Sequence, residues 1–241
     1  MPHFLINDEE IKKDYIELSE PDNFFHIAKV RRAKVNEDIK FIDKNRVVYK
    51  CKIVEINKKS LCAKILSKEK SDRALKYNVS LVQSVLASDA ENLLIANATQ
   101  TGVKKIYPVI SDNVSTKKTE KNEKWQKIAY ENFKQCERAD MPQVCEIKPL
   151  KEVLYAFKKE NILIFSEKDV NISLDNAVKD IDKTSEIAVV IGPEGGFSEF
   201  EFEYFKNNNY KLISLGSMIY KAPNAVVAGI SNIISRLENE G

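Results

Sequence analysis

The sequence predicts an α/β protein of two domains, a small β-barrel followed by a mainly parallel sheet with helices packed on it. Three features predict this. Short alternating apolar runs crowd roughly the first 70 residues, the pattern of a small barrel. From Val79 onward strand-like runs alternate with helical ones, the signature of a parallel sheet. Ile187 to Ile191 is apolar without a break and rich in β-branched residues, as in a strand covered on both faces.

In the N-terminal part, residues 3–6 and 15–18 read as short strands. Between Asn23 and Lys34, Phe24, Ile27, Val30 and Ala33 recur at helical spacing and leave Lys29, Arg32 and Lys34 toward solvent. Residues 38–43 and 47–56 alternate like strands around the polar turn Asp43-Lys44-Asn45-Arg46, and 60–66 is a further strand. Residues 67–76 are charged and poor in apolar side chains, which suits a linker. The expected division is a first domain over 1–72 and a second over 73–241.

The second part opens with a strand at 79–85. A helix over 90–101 follows, apolar through Leu93, Leu94 and Ala98 and closed by Gly102 in a C-cap position. Then come a strand at 105–110 and a polar loop at 111–121. A helix over 123–137 carries Trp125, Ile128, Ala129 and Phe133 on one face. Strands are expected at 162–166 and 211–215, on either side of 187–191 in the chain, and a last helix at 225–237. Its stripe of Val226, Val227, Ile230, Ile233, Ile234 and Leu237 suits two readings, burial within the subunit or contact with a second copy.

The chemistry centres on Ala188 to Ser198, Ala-Val-Val-Ile-Gly-Pro-Glu-Gly-Gly-Phe-Ser. Gly192 ends the strand, and Gly195-Gly196 admit backbone conformations that side chains forbid. Ser198 with Glu201 three residues on forms a capping box that starts a helix. Such a turn presents free backbone groups at the carboxyl edge of a sheet, where open α/β folds bind ligands. Pro193 and Glu194 break the spacing of a dinucleotide fingerprint, and no Gly-Lys-Ser/Thr phosphate loop occurs.

Composition narrows the class. The chain has 241 residues, 43% hydrophobic and 31% charged, with no apolar run of the roughly 18 residues that span a bilayer. The N-terminus lacks the charged and apolar regions of a signal peptide, so a cytoplasmic location is expected. Cys51, Cys62, Cys136 and Cys145 form no C-x-x-C pair and only two histidines are present, which argues against a metal site. The net charge of +2 is uneven. Residues 1–77 hold 18 Lys/Arg against 13 Asp/Glu, and the remainder is slightly acidic. Either the first part meets an anionic partner or its lysines simply keep it solvated.

The wording Ile191-Gly-Pro-Glu-Gly-Gly-Phe-Ser198 resembles the cofactor loop of the ribosomal RNA small subunit methyltransferase E family, which belongs to the SPOUT-type methyltransferases. The order of elements is similar from end to end. The resemblance implies a PUA-like β-barrel that binds RNA, then a SPOUT methyltransferase domain with a C-terminal trefoil knot, in a homodimer. It implies S-adenosylmethionine-dependent methylation of uracil N3 in 16S ribosomal RNA of the small subunit, with no metal and no membrane. The cofactor is expected among Phe165, Ile191, Gly192, Pro193, Glu194, Gly195, Gly196, Leu215, Gly216, Ile219, Tyr220 and Ala225.

Candidate catalytic residues are Arg138, in Gln135-Cys-Glu-Arg138 and similar to the family's Gln-x-x-Arg, together with Lys221 and Glu194. A cation beside the base carbonyls stabilises the anion left when N3 loses its proton, and a carboxylate or water accepts that proton, Glu194 suiting either this role or ligand positioning. Two of them have a second reading: a surface salt bridge for Arg138, and a carboxylate held at a helix N-terminus for Glu194. His26, Lys29, Arg31, Arg32 and Lys34 are the expected RNA contacts, His26 itself also fitting a structural role. The last loop departs from the family, with Met218 and Lys221 where arginines are usual and Pro223-Asn224 in place of Glu-Thr. Ala87 and Asn113 likewise replace basic residues. A silent or retargeted RNA-binding protein on the same fold is therefore the alternative to the enzyme.

Overall fold

The computed structural model describes residues 2–115 and 123–239, so part of the polar loop expected at 111–121 lies outside the described residues. The chain divides into two compact units. One is Met1–Ala74 with Phe133–Asp140, the other Leu75–Asn132 with Met141–Gly241.

The first unit contains β1 (His3–Leu5), β2 (Tyr15–Leu18), α1 (Pro21–Phe25), β3 (Asp38–Ile42), β4 (Val47–Ile56) and β5 (Leu61–Lys70). The strands form one sheet in the order β1-β3-β4-β5-β2, antiparallel except where β1 runs parallel to β3. Side chains from both edges, Phe4 of β1 and Ile16 and Leu18 of β2, share one core with Phe41, Ile53 and Ala63. A sheet whose two edges meet over one core is curled, and the bulges in the β4–β5 pairing help it to bend. Glu10 is buried because its carboxylate accepts from the backbone N–H groups of Asn7, Ser19 and Glu20 at 2.9–3.1 Å. β5 runs through the expected linker: Ser67 to Lys70 pair with Val47 to Lys50.

The helix expected over 23–34 is only partly regular. α1 ends at Phe25 and a π-helical turn, His26–Val30, follows, with the Arg31 N–H donating to the His26 carbonyl at 2.8 Å. Phe24, Ile27 and Ala33 are buried as expected, but Val30 is 59% exposed. The i→i+5 bond adds a residue to the turn and swings Val30 off the apolar stripe. Arg32 then takes a left-handed conformation, φ 54°, that stops the helix.

The second unit holds β6 (Val79–Ser84), α2 (Ser88–Gln100), β7 (Lys105–Ile110), most of α3 (Glu123–Gln135), β8 (Gln143–Val144), β9 (Lys148–Pro149) and α4 (Leu150–Leu154). It continues with β10 (Ile162–Phe165), α5 (Leu174–Lys179), β11 (Ile187–Ile191), α6 (Glu199–Asn207), β12 (Lys211–Ile213) and α7 (Ala222–Asn239). The strands lie parallel in the order β12-β10-β11-β6-β7-β8, with β9 also against β7.

Strand periodicity sorts the core into two layers. Ile187, Val189 and Ile191 of β11 face one layer with Leu163 and Phe165 of β10 and residues of α2, α5 and α7. Ala188 and Val190 face the other, with Ile164, α4 and a ring of aromatics from α6. β11 is thus buried on both sides, as its unbroken apolar run predicts. The stripe of α7 serves mainly this core: Val226, Ile230, Ile233 and Leu237 are fully buried, and only Val227 is well exposed. Leu93, expected inside, is also exposed, because α2 presents Leu94, Ile95 and Ala98 to the sheet instead. Gly229 is where α7 comes closest: a Cβ there would stand 2.7 Å from the Phe165 ring.

In the first unit His3 is 1% exposed and its ring stands 4.9 Å from that of Phe133. Burial lowers its pKa from 6.5 to about 4, with Glu137 partly opposing the shift. The folded imidazole stays neutral where the unfolded one is protonated, so the unfolded chain binds more protons between these values. The contribution to stability is complete above about pH 6.5 and lost as pH falls toward 4. His3→Phe should therefore flatten the acid side of the stability profile. Between pH 7 and 5, wild type should lose about 2 kcal/mol more than the variant in urea unfolding; equal losses would refute the assignment.

Candidate functional site

Three strands of the second unit end side by side. Phe165 at the end of β10 is opposite both Ile191 of β11 and Ile213 of β12. The loops that leave at Ser166, Gly192 and Ser214 therefore start from one carboxyl edge, and Gln83 of β6 adjoins it opposite Ile191. Phe165 and Ile191 are buried there, Phe165 against Gly229.

The glycine loop is held from several directions. The Gly196 N–H donates to the Pro193 carbonyl at 2.9 Å, closing a turn. Gly196 has φ +70° with empty space where a Cβ would stand, so its conformation, and not crowding, calls for glycine. A Cβ on Gly192, by contrast, would meet the Phe197 ring at 3.2 Å. The predicted capping box is present: the Glu201 N–H donates to the Ser198 hydroxyl at 3.1 Å, and the Ser198 N–H to the Glu201 carboxylate at 2.8 Å. Glu201 is buried, which raises its pKa against the pull of these N–H donors.

Asp112 and Asn113, just beyond β7, brace the same loop. The Ser198 hydroxyl donates to the Asp112 carboxylate, and the Asp112 N–H to Glu201 at 3.1 Å. Asn113 Nδ2 donates to the Gly196 carbonyl at 3.1 Å. Gln83 Nε2 reaches the Gly192 carbonyl at 3.2 Å. Glu194 is exposed and, among the described residues, is met by a long contact, 3.4 Å, from the Ala87 N–H. Gln83, Asp112 and Asn113 were not among the expected site residues. They lie some 80 to 110 residues from the loop in sequence, and no local pattern distinguishes them.

The last loop turns at Gly216, φ +105°, again with open space beside it. The Ser214 hydroxyl both accepts from the Gly216 N–H and donates to its carbonyl at 3.0 Å. Leu215 is half-buried and Ala225 buried. Met218 and Ile219 are 67% and 79% exposed, and Tyr220 also faces out, so a single chain does not close an apolar slot with them. Lys221 is exposed, with no ion-pair partner among the described residues; its carbonyl accepts from the N–H groups of Asn224 and Ala225 in the first turn of α7. That helix begins three residues earlier than expected because Pro223 suits a first helical turn.

Arg138 belongs to the first unit. It is 4% exposed and its Nη2 donates to the Asp140 carboxylate at 2.9 Å, the ion pair anticipated as its second reading, though buried and not on the surface. The expected RNA contacts lie in that unit too. Lys29, Arg32 and Lys34 are exposed along the π-turn and its exit, with Phe25, 60% exposed, among them. Arg31 is half-buried, and its Nη1 has no hydrogen-bond partner among the described residues. His26 sits inside this surface, Nδ1 3.4 Å from Lys134 Nζ and its ring edge-on to Phe4. Elsewhere in the unit a cleft of about 750 Å³ is ringed by Glu9, Glu17, Glu20 and Glu55, charges that repel a phosphate backbone.

No described helix is long and apolar enough to cross a membrane, and no group of His, Cys, Asp and Glu among the described residues is placed to hold a metal ion. Residues 73–234 match the model of the RNA methyltransferase domain, and residues 18–66 that of the RNA methyltransferase PUA domain. A ribosomal RNA small subunit methyltransferase E from Rickettsia conorii is 27% identical over 232 residues, covering 95% of this chain and 93% of its own. Its counterpart from Aquifex aeolicus is 30% identical over 217 residues, covering 86% and 89%. The crystal structure of the Neisseria gonorrhoeae ribosomal RNA small subunit methyltransferase E bound to S-adenosyl methionine superposes with a TM-score of 0.83 at 26% identity, over 98% of this chain and 97% of that one. With a domain model over most of its length and relatives aligned nearly end to end, the chain belongs to the ribosomal RNA small subunit methyltransferase E family of RNA methyltransferases.

Proposed function

We propose that this protein methylates N3 of a uracil in 16S ribosomal RNA in the cytoplasm, with S-adenosylmethionine as the methyl donor. The observation that carries the reading is the braced glycine loop on a carboxyl edge shared with two further loops. The residues fit such a cofactor. Beside Gly196 and Gly216 the space is empty to 4 Å, so a ligand can approach bare backbone. Buried Phe165, Ile191, Pro193 and Ala225 give an apolar floor. Gly192, Glu194, Gly195, Leu215, Ile219 and Tyr220 complete the proposed cofactor set.

S-adenosylmethionine supplies an electrophilic methyl group on a sulfonium. The protein's part is to place the uracil in line with it and to manage the N3 proton. Lys221, exposed just before α7 and without an ion-pair partner among the described residues, is assigned to the base carbonyls, where its charge stabilises the deprotonated ring. Glu194, exposed and met by a long contact from the Ala87 N–H, is assigned the proton. The resemblance gives Arg138 a cationic role as well. His26, Lys29, Arg31, Arg32 and Lys34 of the PUA-like unit are assigned to RNA, with phosphates on the exposed cations.

A homodimer and a C-terminal trefoil knot belong to the same proposal. Leu93 of α2, Val227 of α7, and Met218 and Ile219 of the last loop leave apolar surface exposed on elements of one unit, which supports a second copy there. For the knot, the support is strand order: β11 inserts between β10 and β6, and β12 then returns to the far side of β10.

The deciding experiment is nucleoside mass spectrometry on small subunits from a strain lacking this activity, incubated with pure protein and S-adenosylmethionine. 3-Methyluridine is the expected product. Cofactor binding without any methylated nucleoside would favour the silent or retargeted reading that Met218 and Pro223-Asn224 suggest. Lys221→Ala should lower turnover about 100-fold while leaving cofactor affinity within about twofold; unchanged turnover would remove Lys221 from the mechanism. Lys29→Ala and Arg32→Ala should each weaken RNA binding and reduce the slope of log K against log salt by about one. A slope equal to wild type would place RNA elsewhere.

A further inference from the structure

Gln83 is a fully buried amide on the edge that bears the glycine loop. Its Nε2 donates to the Ser84 carbonyl at 2.7 Å and to the Gly192 carbonyl at 3.2 Å. Both partners are carbonyl oxygens, so the atom facing them is the amide nitrogen, whichever way the group is drawn. Its oxygen, Oε1, is buried and has no hydrogen-bond partner among the described residues.

A buried acceptor left unmet is costly, and leucine at this position would avoid that cost with a similar volume. What the amide does and leucine cannot is donate to Gly192. That carbonyl belongs to the Gly192–Pro193 peptide unit, which has no N–H of its own. The contact from Gln83 thus orients the unit from which the whole turn to Gly196 departs.

We infer that Gln83 is a positioning residue for the cofactor loop, setting the entry angle of residues 192–196 by holding the Gly192 carbonyl. The inference rests on the assignment of that loop to S-adenosylmethionine. It adds a residue from β6, which does not itself supply any of the three loops.

The test compares S-adenosylmethionine affinity by calorimetry in wild type, Gln83→Leu and Gln83→Glu, with thermal unfolding run alongside. Gln83→Leu should raise Kd about tenfold at every pH while the protein stays folded. Gln83→Glu keeps the shape but turns an acceptor toward two carbonyls when ionised, and regains a donor when protonated. Burial raises the pKa of the new carboxyl, so its Kd relative to wild type should fall toward one between about pH 8 and pH 5.5. A purely space-filling role would show no such profile. Wild-type affinity in Gln83→Leu, or a ratio for Gln83→Glu that ignores pH, overturns the inference alone. If wild type itself fails to bind the cofactor, the loop assignment falls and the inference with it. Should Gln83→Leu not fold, Gln83→Glu decides: return of affinity at low pH supports the role and its absence overturns it.

Discussion

The burial of β11 on both faces is the constraint on which the second unit depends. A strand apolar on both sides must be covered on both sides, so helices α2, α5 and α7 pack on one face of the sheet and α4 and α6 on the other. Each fully buried valine or isoleucine stabilises the fold by roughly 1.5–3 kcal/mol, and β11 with its neighbours β10 and β6 carries many. With both faces closed, the strand ends are where backbone can stay open to a ligand. Parallel pairing then brings the carboxyl ends of β10, β11 and β12 together, which is why three loops share one edge.

That edge has to remain open without being loose. An irregular loop lacks the ladder that satisfies strand backbone, and here side chains from other elements replace it. Asn113 takes the Gly196 carbonyl, Gln83 the Gly192 carbonyl, and Glu201 accepts N–H groups from both Ser198 and Asp112. The glycines are left with free space on their outer side, and the loop presents backbone held in one shape. Preorganisation of this kind lets binding proceed without first ordering the site.

The first unit solves a different problem. Its short strands make a curled sheet over a single core, and a buried carboxylate, Glu10, ties the turn at residues 7–10 to the start of α1. The π-turn at His26–Val30 lets Ile27 and Ala33 reach that core while Phe25, Lys29 and Arg32 stay in solvent. An exposed aromatic among exposed cations is a surface suited to single-stranded nucleic acid, where stacking and phosphate contacts act together.

What the sequence determined by itself is local. The unbroken run at 187–191, Gly192 and Gly196 after it and the Ser198–Glu201 capping box each act over a few residues and stand in the structure as read, whereas Gly195 has no positive φ. The helix from Trp125 to Phe133 and the paired strands β3 and β4 were equally legible, since strand and helix periodicities survive packing. Tertiary structure alone decided what depends on distant partners. Val30 faces out because a π-turn, invisible to a 3.6-residue repeat, intervenes. The α7 stripe is covered by its own subunit because α2 and α5 happen to pack there. Arg138 is paired with Asp140 and grouped with residues 1–74. Gln83, Asp112 and Asn113 reach the glycine loop and its capping box only because parallel strands from far along the chain end at the same edge. A side chain's partner across the sheet is set by strand order, and no spacing within the sequence encodes that.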